Sequence, residues 1–168
     1  MADFHKIDPK QIPDNPFQLI GGDWMLVTSG VPGACNTMTA SWGGVGVIWN
    51  KPVTTIYIRP QRYTYEFLEK NSLYTLSFFD EEYRAALKLC GSKSGRDMDK
   101  PKAAGLTPVE LDGCAAFEEA RLVLVCRKLY FSDIVPENLL DSTIDKVNYP
   151  AKDYHRMYIG EIVAAYTK

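Results

Sequence analysis

Short runs rich in Val, Ile, Thr and aromatic residues, separated by clusters of turn-forming residues, dominate the chain. The clusters are Asp14-Asn15-Pro16, Gly21-Gly22-Asp23, Val31-Pro32-Gly33, Trp49-Asn50-Lys51-Pro52 and Leu111-Asp112-Gly113, each of a kind that ends a strand or reverses the chain. The intervening runs predict strands over 24–28, 37–48, 53–58, 73–78, 117–131 and 158–165. Helical insertions are predicted over 64–70, 82–89 and 136–145. About six strands with a few short helices fit a mainly β fold, a closed antiparallel barrel, better than a doubly wound sheet. The sequence shows no internal repeat, linker or low-complexity tract.

Three segments carry candidate chemistry. In Asn36-Thr37-Met38-Thr39-Ala40-Ser41-Trp42-Gly43-Gly44, side chains alternate faces along a strand. Thr37, Thr39 and Ser41 therefore share one face, and Met38, Ala40 and Trp42 the other. A row of hydroxyls beside a large aromatic suits a flat, phosphate-bearing ligand, although a half-buried strand with Thr and Ser on its wet side has the same pattern. The second segment, Ile56-Tyr57-Ile58-Arg59-Pro60-Gln61-Arg62-Tyr63-Thr64, reads as a strand ending at Pro60, which cannot donate to a ladder. A helix start follows, which Thr64 is placed to cap. Two guanidiniums at a helix N-terminus attract anions, and a solvated turn with arginines paired to surface carboxylates is the competing reading. The third, Cys90-Gly91-Ser92-Lys93-Ser94-Gly95-Arg96-Asp97-Met98-Asp99-Lys100, follows a predicted helix that Gly91 would terminate. Its Ser94-Gly95 allows a turn with N–H groups facing a ligand. It lacks P-loop spacing, and a plain loop accounts for it equally well.

A length of 168 residues suits one domain, 1–168. With a net charge of −2 and no basic tract, the chain offers no electrostatic basis for nucleic-acid or anionic-membrane binding. It has no apolar run long enough to span a membrane and no secretory h-region at its N-terminus, so a cytoplasmic setting is expected. The widely spaced Cys35, Cys90, Cys114 and Cys126 form no C-x-x-C pair and, with only His5 and His155 available, no zinc pattern. They read as reduced thiols: Cys126 as a buried structural residue, Cys35 as structural or redox-active. Gly44-Val45-Gly46 invites comparison with a dinucleotide fingerprint, but Trp49 stands where the third glycine is required and Asn50-Lys51-Pro52 cannot open a helix there. No nucleophile elbow or Ser-His-Asp order is present.

In this order and spacing the segments resemble the flavin reductase-like family, the FMN-binding split barrels that include flavoredoxins. The resemblance rests on Asn36 to Trp42, Arg59-Pro60-Gln61-Arg62-Tyr63-Thr64, Ser94 to Pro101, Gly105-Leu106-Thr107 and the closing run His155 to Ile162. It implies an antiparallel split β-barrel binding FMN, with Thr39, Ala40, Ser41 and Trp42 along the isoalloxazine ring. Arg59, Gln61, Arg62 and Thr64 would hold the ribityl chain and phosphate. Ser94, Gly95 and Lys100 would belong to a second ligand-side loop, and His155 would approach the ring or its nicotinamide partner as the catalytic candidate. Asp153-Tyr154-His155 departs from the Gly-Asp-His common in that family.

The resemblance further implies hydride transfer from NAD(P)H to flavin and onward to an unidentified acceptor, and a homodimer. Flavin chemistry needs few catalytic side chains, which matches a sequence of hydroxyls, turns and arginines. Two alternatives stand beside this reading: an FMN electron carrier without nicotinamide activity, and a cofactor-less interaction module displaying Tyr57, Tyr63, Tyr65 and Tyr74 to a partner.

Overall fold

The computed structural model describes residues 3–168. Ten strands are present among these residues: β1 (His5–Ile7), β2 (Met25–Val31), β3 (Ala34–Ala40), β4 (Gly43–Ile48), β5 (Lys51–Ile58), β6 (Leu73–Phe78), β7 (Pro108–Leu111), β8 (Cys114–Phe117), β9 (Leu122–Asp133) and β10 (Arg156–Thr167). Four short helices accompany them: α1 (Tyr63–Lys70), α2 (Arg84–Ser92), α3 (Lys100–Ala104) and α4 (Ser142–Asn148). Eight strands form one antiparallel sheet in the order β3-β2-β6-β9-β10-β5-β4, with β1 added alongside β10, and β7-β8 make a separate hairpin. The end strands of that path, β3 and β4, are consecutive in the chain and joined only by Ser41 and Trp42. The sheet therefore curls until its two ends meet at one short link, which is the geometry of a split barrel.

Period-2 alternation explains how the sheet is buried on both faces. In β2, Met25 and Val27 pack into the barrel core with Leu76, Tyr74, Ile56 and Ile58, whereas Leu26 points outward to a second cluster with Phe79, Leu87, Phe117 and Val123. In β9, Leu122, Leu124 and Cys126 face the interior while Val123 faces that outer cluster. The uninterrupted apolar run Leu122 to Cys126 thus reflects a strand covered on both sides. Tyr74, expected among exposed aromatics, is 0% exposed on this central sheet; its hydroxyl pairs with that of Thr54 at 2.7 Å. Gly160, at a register shift of β10, leaves room for the Tyr74 ring, since a Cβ there would lie 2.2 Å from the phenol oxygen.

Several predicted boundaries are corrected. The 37–48 run is two strands broken at Ser41-Trp42, and 117–131 divides at the turn before Leu122. Between 136 and 145, a 3-10 turn Pro136–Asn138 precedes α4, whose N-cap is Asp141. Thr64 does not cap α1: Arg62 occupies the N-cap position and Thr64 is buried inside the first turn. Gly91 does not end the preceding helix, because α2 continues through it to Ser92. A Cβ at Gly91 would stand 3.2 Å from Thr39 Cβ, so the glycine serves close packing of α2 on β3 instead.

Candidate functional site

The Ser41-Trp42 link forms the floor of a two-lobed cleft. The smaller lobe, about 210 Å³, is lined by β3 residues Met38 to Ala40, by Ser41 and Trp42, by Tyr57 of β5 and Arg59 just after it, by Arg62 at the start of α1 and by His155 just before β10. The larger, about 550 Å³, shares Ser41, Trp42 and Tyr57 and continues to Phe17, Ile20, Ile134 and Tyr149. Of the residues named from sequence, Thr39, Ala40, Ser41, Trp42, Arg59, Arg62 and His155 are brought together here.

Arg62 is the electrostatic centre of the smaller lobe. Burial lowers the pKa of its guanidinium, and Nη2 is buried without a hydrogen-bond partner. A desolvated cationic donor without an acceptor is costly, and an anion seated against it removes that cost. Arg59 is committed differently. It donates to the Asn148 carbonyl at 2.9 Å and the Asp153 carbonyl at 3.2 Å, and its Nη1 lies 2.7 Å from Asp153 Oδ1. Arg59 thereby pins the segment between α4 and β10 over the cleft, and its guanidinium lies above the Tyr149 ring. Gln61 is exposed, donates to Asp153 Oδ2 at 2.6 Å and lies outside the cleft lining.

The hydroxyl face expected on β3 is largely consumed within the fold. Thr37 is fully buried with its hydroxyl 2.8 Å from that of Thr28, and Thr39 donates to the Leu87 carbonyl of α2. Ser41, beyond the end of β3, is the member of the row that lines both lobes. Thr64 faces inward and accepts from Asn36 Nδ2 at 2.7 Å. Gly95 packs against the same Asn36, whose Oδ1 would stand 1.9 Å from a Cβ. Arg96 donates to the Gln61 carbonyl and to Glu66. The three segments are therefore knitted together by contacts among themselves.

Ser94 accepts from the Arg96 N–H within its own turn. Lys100, the first residue of α3, is only 2% exposed and donates to the Cys90 and Lys93 carbonyls at 2.9 and 3.1 Å, closing the end of α2. Burial, aided by the charge of Arg62, pushes its pKa down to about 8. Gly95 and Lys100 border a separate recess of about 330 Å³ with Cys35, Asn36 and Tyr63. Burial, then Asp99, raises the Cys35 pKa, so this thiol is not activated. Cys126 is fully buried as expected.

His155 is 7% exposed; its Nδ1 lies 2.7 Å from the Tyr149 hydroxyl, and its ring is tilted against Trp42 with centroids 5.2 Å apart. Burial, then the charge of Arg59, pushes its pKa down to about 4, so the imidazole is neutral at pH 7. Sequence reasoning missed Tyr149, Phe17, Ile20 and Ile134, which come from the N-terminal segment and from the excursion between β9 and β10. Tyr57, read only as a possible exposed aromatic, had a usable signal: it alternates with the buried Ile56 and Ile58 and must face away from the core.

The split of the barrel, a buried guanidinium nitrogen without a partner and an aromatic side chain thus meet at one cleft. The chain belongs to the flavin reductase-like family, whose model, the flavin reductase like domain, matches residues 18–168. Solved structures of similar fold include an FMN-binding domain of a flavin reductases-like enzyme from Shewanella baltica, 18% identical over 99% of this chain and 78% of that one, with a TM-score of 0.70. Flavoredoxin of Desulfovibrio vulgaris is 20% identical over 98% of this chain and 77% of its own, with a TM-score of 0.68. Nitrilotriacetate monooxygenase component B from Bacillus cereus is 19% identical over 95% of this chain and 79% of its own, with a TM-score of 0.66. No curated protein matches the chain significantly.

Proposed function

We propose that this chain is an FMN-dependent oxidoreductase that moves electrons from NAD(P)H to a downstream acceptor, with the flavin seated across the split of the barrel. The observation that carries the reading is Arg62, which lines the smaller lobe and whose Nη2 is buried without an acceptor. The FMN phosphate supplies that acceptor, with the Lys100 charge close enough to Arg62 to add to the attraction. Ser41 and the backbone from Thr39 to Trp42 border the ring, and Trp42 offers it an aromatic face. Arg59 and Gln61 act through Asp153, holding the segment that covers the site. Thr64, Ser94 and Gly95 shape the phosphate end through Asn36 and the turn at Arg96.

FMN supplies the hydride and electron chemistry when bound; the protein orients it and excludes water. Neutral His155 orients Tyr149 and Trp42 around the ring and is no proton donor at pH 7. The visible spectrum of the purified protein, followed by anaerobic NADH, tests the reading. Flavin bands bleached by NADH are expected. Bands that persist identify a carrier reduced by another protein, and failure to bind added FMN sinks the flavin assignment.

The same reading includes a homodimer in a cytoplasmic setting. Val47 is 75% exposed, Trp49 52%, Tyr130 48% and Phe131 55% on strands β4 and β9 and the turn after β4, with the Trp49 and Tyr130 rings 6.3 Å apart, and two-fold pairing is the commonest way to cover exposed aromatics. Sedimentation equilibrium is expected to give twice the chain mass, and Trp49→Glu to shift the protein toward monomer; a monomeric wild-type chain at micromolar concentration contradicts the dimer. The four free cysteines suit a reducing compartment, and among the described residues no helix is long and apolar enough to cross a membrane.

A further inference from the structure

The inner face of β4 is only partly covered. Val45 lies opposite Thr54, which is buried and bonded to Tyr74 of the barrel core, and Val47 lies opposite Pro52. Residues directly opposite on paired strands share a face, so both valines point toward the interior, yet they are 40% and 75% exposed. Since β4 ends the sheet, no strand covers them. The N-terminal segment from Pro9 to Leu19 faces them across a cavity of about 290 Å³ that reaches Leu124 and Ile162 of the core. We propose that this cavity binds a medium-chain aliphatic carboxylate, its chain in the barrel mouth and its head group on Lys10. Among the described residues, the cavity shares Pro16 alone with the larger lobe of the cleft and nothing with the smaller. The inference does not rest on the FMN reading.

The lining decides the class of ligand. Leu19, Val45, Val47, Leu124 and Ile162 supply branched aliphatic side chains, three prolines add to them, and among the described residues no aromatic ring is present. Such a wall gives contact area without a face for stacking, which suits an alkyl chain over a flat ring. The volume stands at the small end of the range for small-molecule sites, enough for one short chain and too little for the paired chains of a phospholipid. Each methylene that leaves water for this wall tightens binding about fourfold.

Charge at the cavity decides the head group. Two ionisable residues line it, Lys10 and Asp14. Asp14 is engaged, because Arg121 Nη2 donates to its Oδ1 at 2.7 Å. The exposed Lys10 ammonium has no carboxylate partner among the described residues. Its position is nevertheless fixed: the Lys10 N–H donates to Asp8 Oδ1 at 2.9 Å, capping the 3-10 turn Pro9–Gln11. An anionic head group meets an unengaged cation at the point where its chain enters, whereas a cationic amphiphile meets no unengaged acid. The competing occupant is a second copy of the chain, because Val47 also belongs to the apolar surface that a dimer would cover.

The test titrates hexanoate, octanoate and 1-octanol at pH 7 into the full chain, with and without added FMN, and follows the methyl NMR signals of Leu19, Val45, Val47, Leu124 and Ile162. Saturable shifts of these signals are expected in both states, with octanoate about 10- to 20-fold tighter than hexanoate for its two extra methylenes. Lys10→Gln is expected to weaken octanoate by about two- to fivefold and to leave 1-octanol unchanged. The proposal is overturned by the absence of any saturable shift, by shifts confined to Ile20 and Ile134 of the cleft, or by a Lys10→Gln variant that binds octanoate as tightly as the wild-type chain. A response that fades as chain concentration rises at fixed free octanoate also overturns it, and makes a second copy the occupant of the mouth.

Discussion

Arg62→Ala is expected to weaken FMN binding by about 1.5–3 kcal/mol, roughly 10- to 150-fold, while leaving the free protein no less stable. The two effects have opposite origins. In the free protein the guanidinium is desolvated enough to lower its pKa, and Nη2 has no acceptor, so truncation removes an unsatisfied charged donor as well as some packing. Lys100 also gains, because the Arg62 charge helps to depress its pKa. In the complex the same truncation deletes a charge-assisted hydrogen bond to phosphate. Flavin fluorescence quenching and urea denaturation of the free chain read the two sides independently. A variant that loses stability but keeps FMN affinity makes Arg62 a structural residue and leaves the phosphate without its principal cation. Arg62→Lys should recover only part of the affinity, since an ammonium cannot reproduce the planar fork.

Arg62 lines the cleft, whereas several neighbouring hydroxyls are turned to partners within the fold. Arg62, Trp42 and Ser41 were legible because the chain features that mark them, a strand end at Pro60 and a link between strands, are local. Thr37, Thr39 and Thr64 carry the same chemistry on paper. Whether a hydroxyl meets a ligand or the protein depends on what packs across from it, and here Thr28, the Leu87 carbonyl and Asn36 arrive first. Lys100 likewise reads as a loop cation but folds inward to satisfy carbonyls at the end of α2. The barrel was visible in the strand runs and their turns. Its short additions, β1, the β7-β8 hairpin and α3, were not, because three- to five-residue elements lack enough periods to register. The larger lobe was hidden for a different reason. Phe17, Trp42, Ile134 and Tyr149 are distant in sequence, and only closure of the sheet makes them neighbours.

His155 gives the second large effect, on stability as a function of pH. Its pKa is pushed down to about 4 in the fold, against about 6.5 when the chain is unfolded and the ring solvated. Between these values the unfolded chain holds a proton that the native protein does not, so stability rises with pH across this window. The contribution is complete above about pH 6.5 and is lost as pH falls toward 4, amounting to about 3 kcal/mol for a group only 7% exposed. Protonation also sets a cation beside Arg59, whose charge already disfavours it. His155→Gln keeps a side-chain oxygen that can accept from Tyr149 and has no proton to gain. Urea unfolding of both proteins at pH 7.5 and 4.5 isolates the effect, because protonation of shared carboxylates cancels in the difference. The wild-type chain should lose about 2–3 kcal/mol more than the variant over that interval. Parallel losses would mean that the ring accepts a proton in the native state at its ordinary pH, and that the wall between His155, Trp42 and Tyr149 opens to water.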